Sequence, residues 1–292
     1  GVGEAALIEK MRDRGATVIV VDHHEIPGDP PVLPRANAVI NPQRADCGFA
    51  GKTLAACGLT FYFLSGVKRV LLERNWFAEQ GIEAPDMRDA LDLVALGTVA
   101  DVVSLTGVNR ILARQGLTRM RARQRPGLDR LIEVARVRTR KIGASHVAFN
   151  LAPRLNAAGR VDSADAGVQL LLAEDDAEAT RLAGRLDALN RERQKIEREA
   201  TKEAIERIEA DPERHLSGGA LAIAQPNWHL GVVGIMASRL ARRFGVPALV
   251  LGGDGENFRG SGRSVGGFNL TEALAPARGR LLSLGGHAFA CG

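Results

Sequence analysis

The sequence has few aromatic residues, few cysteines and no long apolar run. Phe, Trp and Tyr make up 4% of the 292 residues, whereas 45% are hydrophobic, so aliphatic side chains must fill the core. That balance favours the layers of an α/β fold over an aromatic-rich β-sandwich. The three cysteines are odd in number and lack CxxC spacing, which argues against a disulfide framework and indicates a reducing compartment.

Membrane and secretion signals are also missing. No stretch reaches the roughly 18 consecutive apolar residues of a membrane span, and the first residues do not form a signal peptide. We therefore predict a cytoplasmic protein with no membrane partner. Lys and Arg outnumber Asp and Glu by 39 to 34, which suits a polyanionic partner without requiring one. The chain begins at Gly1 and stops soon after a glycine-rich turn, so we expect both ends to be cut.

Apolar spacing and Gly/Pro breaks predict alternating helices and strands in the first half of the chain. A β-branched run at 17–21 is typical of a buried parallel strand. A basic stretch over 110–140 is predicted to be mostly helical, with a break at Pro126. The other predicted elements are helices over 4–14, 54–74 and 87–96 and a strand over 38–40.

Residues 175–210 predict one long, highly charged helix that ends at Asp211-Pro212. It is too charged for a core helix, so we interpret it as a connection between two domains. The alternative is a coiled-coil partner helix, which a strict heptad would favour, but the apolar stripe does not keep one. A second α/β unit follows, with strands over 220–224, 247–251 and 257–265, helices over 232–244 and 270–275, and a turn at 285–287.

Asp22-His23-His24 directly follows the first predicted strand. Ligands of open parallel sheets bind beyond the carboxyl ends of strands, and a carboxylate beside two imidazoles offers ligands for Mn²⁺, Mg²⁺ or Zn²⁺. The alternative is a surface loop that happens to hold two histidines. Asp101 is a single carboxylate in the apolar segment 95–104, where either a metal or an ion pair could compensate its charge, or where it could cap a helix.

Two further regions carry groups suited to phosphate. Arg154, Asn156 and Arg160 surround an Ala-Ala-Gly element, and guanidinium groups donate bidentate hydrogen bonds to phosphate oxygens. The alternative there is a solvated basic turn. In the second unit, three glycine-rich clusters suggest a surface that binds a polyanionic backbone, although they are also compatible with ordinary turns. The polar residues of these clusters are His229, Ser261, Arg263, Ser264 and His287.

Taken in order, these segments resemble the RecJ family of the DHH phosphoesterase superfamily. The resemblance covers nearly the whole chain. The matching motifs are residues 21–27 (VDHHEIP), 97–103 (GTVADVV), 153–160 (PRLNAAGR), 229–239 (HLGVVGIMASR), 260–264 (GSGRS) and 285–287 (GGH).

The resemblance implies an α/β fold in three parts. These are a partial DHH domain with a parallel sheet over 1–174, a long connecting helix over 175–212, and a smaller, C-terminally truncated α/β DHHA1 domain over 213–292. It also implies hydrolysis of single-stranded DNA from the 5′ end by a two-metal mechanism with Mn²⁺ or Mg²⁺, in DNA recombination and repair. The expected partners are single-stranded DNA and, as candidates, single-strand-binding protein and a recombination helicase.

By position, the resemblance implies roles for individual residues. Asp22, His23 and Asp101 would belong to the metal centre, with His24 beside it near the scissile phosphate. Asn156 and Arg160 would hold phosphate on the first domain. His229, Ser261, Arg263 and His287 would face the substrate from the second domain.

Three features of the family pattern are absent from the sequence. They are an Asp-x-Asp pair, a further metal-ligand aspartate and the nucleic-acid-binding barrel beyond DHHA1. Without those carboxylates a two-metal site is incomplete, so we predict that this chain alone does not catalyse the reaction. The alternatives are another DHH phosphodiesterase acting on short oligonucleotides or cyclic dinucleotides, a pyrophosphatase, or a non-catalytic nucleic-acid-binding module.

Overall fold

A computed structural model describes residues 1–28, 30–253 and 256–292. The chain forms two compact units, and the fold is α/β, as predicted. The first unit holds residues 1–153 and 173–180, and the second holds 154–172 and 181–292. None of the described helices is long and apolar enough to cross a bilayer.

The first unit opens with a small parallel β-layer. Helix α1 (Ala5–Asp13) comes first, and the layer itself consists of strands β1 (Ile19–Val21) and β2 (Ala38–Ile40). The strands pair in parallel, with Val20 opposite Val39, and Val20 packs with Val2 and Ile8 in a small core. The parallel strand predicted at 17–21 is confirmed, but β1 is shorter than predicted and only Val20 on it is buried.

The rest of the first unit is helical. Its helices are α2 (Ala56–Glu73), α3 (Trp76–Glu79), α4 (Leu91–Ala100), α5 (Gly107–Arg121), α6 (Pro126–Val134) and α7 (Ala144–His146). Helix α4 is apolar on nearly all sides and packs against α2 and α5. Gly116 permits the contact with α5, because a Cβ there would lie 2.0 Å from the carbonyl oxygen of Leu91. Pro126 begins α6 at its first turn, where a missing N–H costs nothing.

The helices of the second unit include one of 35 residues. They are α8 (Ala152–Val161), α9 (Asp165–Leu172), α10 (Asp176–Ala210), α11 (Pro212–Leu216), α12 (Leu230–Phe244) and α13 (Leu270–Leu274). The long helix α10 has the length predicted for it and ends at the predicted Asp211-Pro212. It is not wholly solvated, because Ala200, Ala204 and Ile208 belong to the core of this unit.

Five strands form the sheet of the second unit. They are β3 (Leu221–Gln225), β4 (Ala248–Gly253), β5 (Phe258–Arg263), β6 (Gly286–His287) and β7 (Ala290–Cys291), in the order β3-β4-β5-β7-β6. β3 and β4 are parallel and joined through α12, whereas the other pairs are antiparallel. Residues 286–287 were predicted as a turn, but they form a short strand because the following residues fold back and pair with them.

The two units divide the chain differently from the domains that the motifs indicate. The predicted boundaries lie at 174 and 212, whereas residues 154–172 and most of α10 pack with the second unit. The Ala-Ala-Gly element at 157–159, for which a solvated basic turn was the alternative above, lies in helix α8. Ala157 and Ala158 are fully buried there, so α8 packs through small side chains. Asn156 and Arg160 on the same helix are exposed.

Candidate metal centre and phosphate-binding groups

His23 and Asp101 come together although 77 residues separate them in the sequence. Their side chains meet with His23 Nε2 and Asp101 Oδ2 3.4 Å apart. His23 follows the carboxyl end of β1, and Asp101 is the residue that ends α4. The strand end and the helix end therefore present an imidazole and a carboxylate to the same point.

Asp22 is the buried residue of this cluster. Its Oδ2 accepts a hydrogen bond from the Val2 N–H at 2.6 Å, and its Oδ1 accepts one from the His23 N–H at 2.7 Å. Burial raises the pKa of Asp22, but the hydrogen bonds from Val2, His24 and His23 outweigh it and hold the pKa well below its ordinary value. Asp22 is therefore an ionised carboxylate at neutral pH.

His24 is held by the same carboxylate. Its Nδ1 lies 2.7 Å from Asp22 Oδ1, and because that carboxylate only accepts, Nδ1 carries the proton. The backbone carbonyl of His24 accepts a hydrogen bond from Asn41 Nδ2, which ties the residue to the end of β2. The ring is 74% exposed, so its Nε2 is available to a ligand.

Asp22, His23 and His24 each offer one ligand atom, and these atoms all lie within 4.8 Å of one another. Carboxylate oxygen and imidazole nitrogen suit Mn²⁺, and Mg²⁺ prefers the oxygen. The described residues of this cluster thus fit part of a divalent-cation site. Asp101 adds a second carboxylate on the His23 side.

The apolar segment 95–104 suggested a buried carboxylate at Asp101, but the Asp101 side chain is not buried. It is 38% exposed because it lies at the C-terminal end of α4. Val102, the next residue, has a φ of +62° and is 87% exposed. A β-branched residue in the left-handed region is strained, and such strain is concentrated at functional sites. The strained residue turns the chain out of α4 directly after the carboxylate.

Gly97 sets the position of the helix that carries Asp101. A Cβ at Gly97 would lie 2.7 Å from Cys57 Sγ on α2, so the glycine allows α2 and α4 to approach closely. Cys57 Sγ also lies 3.4 Å from the carbonyl oxygen of Val94, and burial raises the pKa of its thiol. Cys57 is thus a packing residue, and the glycine of the 97–103 motif serves the same contact.

In the second unit, α8 carries three of the predicted phosphate-binding residues. Arg160 is exposed and donates from Nη1 to the Gly231 carbonyl at 3.0 Å. Asn156 is exposed on the same helix. Arg154 is mostly buried, and its Nε donates to Asp187 Oδ1 at 2.9 Å.

Ser261 and Arg263 lie on β5, close to the start of α12. Arg263 Nη1 donates to Ser261 Oγ at 2.7 Å. A Cβ at Gly234 would lie 3.1 Å from Ser261 Oγ and 3.2 Å from Arg263 Nη2, so the glycine makes room for both groups. Burial lowers the pKa of Arg263, Cys291 raises it, and the positive charge of Arg160 lowers it further.

The other predicted residues lie at turns of this unit. His229 caps α12, with its Nδ1 accepting from the Gly231 N–H at 3.0 Å, so its Nε2 carries the proton. His287 Nδ1 accepts from the Phe289 N–H at 3.3 Å. The Ser264 hydroxyl donates to the carbonyl of Phe268. Each side chain thus has a local partner that fixes its orientation.

Sequence reasoning missed a cluster of charged residues on α10 and α12, formed by Arg193, Glu197 and Arg239. Arg193 on α10 is 8% exposed, and its Nε is buried without a hydrogen-bond partner among the described residues. Burial lowers its pKa, the nearby Glu197 raises it, and Arg160 and Arg239 lower it. Arg239 donates from Nε to the buried Glu197 at 2.9 Å. Arg193 and Arg239 thus lie near one carboxylate, and Arg160 adds a further positive charge near Arg193, an arrangement suited to an anion.

Comparison with known proteins places these features in a family context. A family model described as "DHH family, N-terminal domain" matches residues 1–98, and one for the DHHA1 domain matches residues 218–292. The whole chain is 46% identical to "Single-stranded-DNA-specific exonuclease RecJ" of Escherichia coli (strain K12). The chain spans 51% of that protein.

The solved structures that resemble this chain are also RecJ structures. The structure of RecJ in complex with Mn²⁺ from Thermus thermophilus is 33% identical, with a TM-score of 0.79 over all of this chain and 40% of that one. A structure of exonuclease RecJ bound to manganese is 32% identical, with a TM-score of 0.74 over all of this chain and 68% of that one.

Proposed function

The chain belongs to the RecJ family, and from that membership we propose that it serves the metal-dependent hydrolysis of phosphodiesters in single-stranded DNA, from the 5′ end. One observation carries the proposal for this chain: the 3.4 Å approach of His23 Nε2 and Asp101 Oδ2, beside the ionised Asp22. This approach brings an imidazole and a carboxylate from a strand end and a helix end close enough to bind one cation, and both are ligand types that divalent metals take.

The cofactor is proposed to be Mn²⁺ or Mg²⁺. Asp22, His23 and Asp101 would hold it, and their oxygen and nitrogen donors suit these ions. A bound divalent cation stabilises negative charge on phosphoryl oxygens and lowers the pKa of water. Two such cations take more carboxylates than Asp22 and Asp101 provide, so these residues would form part of a two-metal centre.

The chain's own groups would bind and orient the substrate. His24, with its exposed Nε2 and its Nδ1 fixed by Asp22, would contact the scissile phosphate. Other groups would hold phosphates by hydrogen bonds and by charge. These are Arg154, Asn156, Arg160, His229, Ser261, Arg263, Ser264 and His287.

Activity on single strands of increasing length tests the function. We expect the full-length protein with Mn²⁺ to shorten 5′-labelled single strands of every length and to leave duplexes intact. EDTA should stop the reaction, and a blocked 5′ end should stop it while a blocked 3′ end should not. Activity confined to very short oligonucleotides or cyclic dinucleotides would instead indicate a different DHH phosphodiesterase. DNA binding without any Mn²⁺ binding would indicate a non-catalytic module.

We also propose a role in DNA recombination and repair in the cytoplasm, where bacterial DNA lies. The E. coli relative carries a name that specifies single-stranded DNA, which supports single strands as the substrate. Single-strand-binding protein and a recombination helicase are the proposed protein partners, since one covers single strands and the other produces them. Co-purification from cells, with and without nuclease treatment, tests both contacts.

A further inference from the structure

Positive charge is concentrated in one segment that the proposed catalytic groups do not use. Residues 110–141 contain 11 Lys and Arg against 2 Asp and Glu, whereas the rest of the chain contains 28 against 32. The net positive charge of the chain therefore resides entirely in this segment, which lies in the first unit.

Five of these basic residues line one open depression of about 500 Å³. They are Arg121, Arg123, Arg138, Arg140 and Lys141. Arg121 ends α5, Arg123 follows it, and the other three lie in the turn after α6. Two separate stretches of chain therefore contribute cations to a single concave surface.

The turn that carries three of them is firmly anchored. Val137 before it and Ile142 after it are buried, the latter completely. Arg121 Nη2 donates to the Ile142 carbonyl at 2.8 Å, which ties the turn to the end of α5. The basic side chains between the two anchors, Arg138, Arg140 and Lys141, are exposed. Apolar burial at both ends thus holds these cations in place.

Three cations of the segment outside the depression are compensated by ion pairs. Arg119 pairs with Asp89, Arg125 with Asp92, and Arg130 with Asp176. Within the depression, Arg123 pairs with Asp129. In the part of the chain that the structure describes, no carboxylate lies within ion-pair distance of Arg138, Arg140 or Lys141. The same holds for Arg110, Arg114 and Arg136 outside the depression, so what distinguishes the lining is that its uncompensated cations lie together on one concave surface.

We propose that this depression binds the phosphodiester backbone of DNA, at a position separate from the cluster of Asp22, His23 and Asp101. Four of the five groups are guanidinium forks, which match phosphate oxygens. Among the described residues no aromatic side chain lines the depression, so bases can stack there only on guanidinium planes, and we expect binding without strong sequence preference. In the described part of the chain no apolar residue belongs to the lining either, whereas docked peptides bury apolar contacts. The inference rests on the proposed function only in naming DNA as the polyanion.

The test compares two triple variants with equal charge. Arg138→Gln/Arg140→Gln/Lys141→Gln removes three lining cations. Arg110→Gln/Arg114→Gln/Arg136→Gln removes three exposed cations of the same segment that do not line the depression. Binding of fluorescein-labelled oligothymidine is followed by anisotropy in EDTA, over a salt series. Thermal melting checks that both variants fold.

We expect the lining variant to bind at least about tenfold more weakly than the unchanged chain at low salt. Its plot of log affinity against log salt should become shallower by about 2, since single strands release roughly 0.7 counterion per neutralised phosphate. The control variant should lose much less on both measures.

Equal losses in the two variants, or no loss in either, would overturn the inference, as would failure of the unchanged chain to bind DNA in EDTA. Lining-dependent binding of an acidic peptide in place of DNA would overturn it in favour of a protein partner. Absence of cleavage by the full-length protein with Mn²⁺, together with normal, lining-dependent DNA binding, would count against the proposed function and leave this site standing.

Discussion

Gly231 lies so close to Arg160 that a methyl group on Gly231 would sit 2.1 Å from the Arg160 carbonyl oxygen. The same pair is joined by the hydrogen bond from Arg160 Nη1 to the Gly231 carbonyl. The start of α12 and the end of α8 are thus in backbone contact, and that contact fixes where the Arg160 guanidinium lies.

The Gly231→Ala variant is expected to lose about 1–3 kcal/mol of unfolding free energy, because the added carbon forces two backbones apart. Its affinity for oligothymidine should fall as well, since Arg160 moves with α8. Gly184→Ala on α10 is the matched control: nothing lies within 4 Å of that added carbon, and alanine favours a helix. Urea unfolding checks both variants, and equal stability of Gly231→Ala and the unchanged chain would contradict the close contact.

Loss of one ligand should weaken the cation site. We expect His23→Ala and Asp101→Ala each to reduce Mn²⁺ affinity by more than about tenfold in calorimetric titration, while DNA binding in EDTA stays unchanged. In the full-length protein both variants should abolish cleavage. His215→Ala on α11 changes a histidine outside the cluster and serves as the control. Normal turnover by His23→Ala or Asp101→Ala would remove these residues from the metal centre.

Relief of the strain at Val102 should raise the stability of the fold and weaken Mn²⁺ binding. Val102→Gly is expected to gain roughly 1 kcal/mol of unfolding free energy, because glycine adopts the positive φ freely and the exposed valine loses no packing. The freer turn should hold Asp101 less well and weaken Mn²⁺ binding. Val102→Ala retains a Cβ and should gain less. Lower stability in Val102→Gly would show that the valine is not strained.

The guanidinium cluster of α10 and α12 depends on one buried carboxylate. Glu197→Gln should cost about 2 kcal/mol, because it removes the charged acceptor of Arg239 and leaves Arg193 beside two other cations. Inorganic phosphate or sulfate should restore part of the melting temperature by binding the unbalanced cluster. Glu199→Gln, an exposed neighbour, is the control. Equal melting of the two variants in phosphate-free buffer would refute this role.

Local sequence patterns predicted the elements that depend on local interactions. Helix α10 was placed within about one residue because its charge spacing and the Asp211-Pro212 stop are properties of the segment itself. Helix α12 was predicted over 232–244 and begins two residues earlier, at Leu230, where the His229 side chain caps it. Pro126 was interpreted as a break, and it begins α6, which a proline at the first helical position also permits.

Interactions between distant segments escaped prediction. Arg193 and Glu197 have the i, i+4 spacing of an ordinary solvated helix, so nothing in the sequence marked Glu197 as buried. Its burial appears only where Arg239 of α12 reaches it. The His23–Asp101 contact was suggested by family motifs, because no spacing rule connects residues on a strand end and a helix end.

The second unit draws its core from chain segments well outside the DHHA1 match at 218–292. Ala200, Ala204 and Ile208 of α10 pack with Leu221 and Met236, and α8 approaches Gly231. Cutting the chain at residue 217 would therefore uncover an aliphatic face rather than release an independent module, and the product should aggregate. A protease that isolates this unit intact must spare the polypeptide as far back as α8.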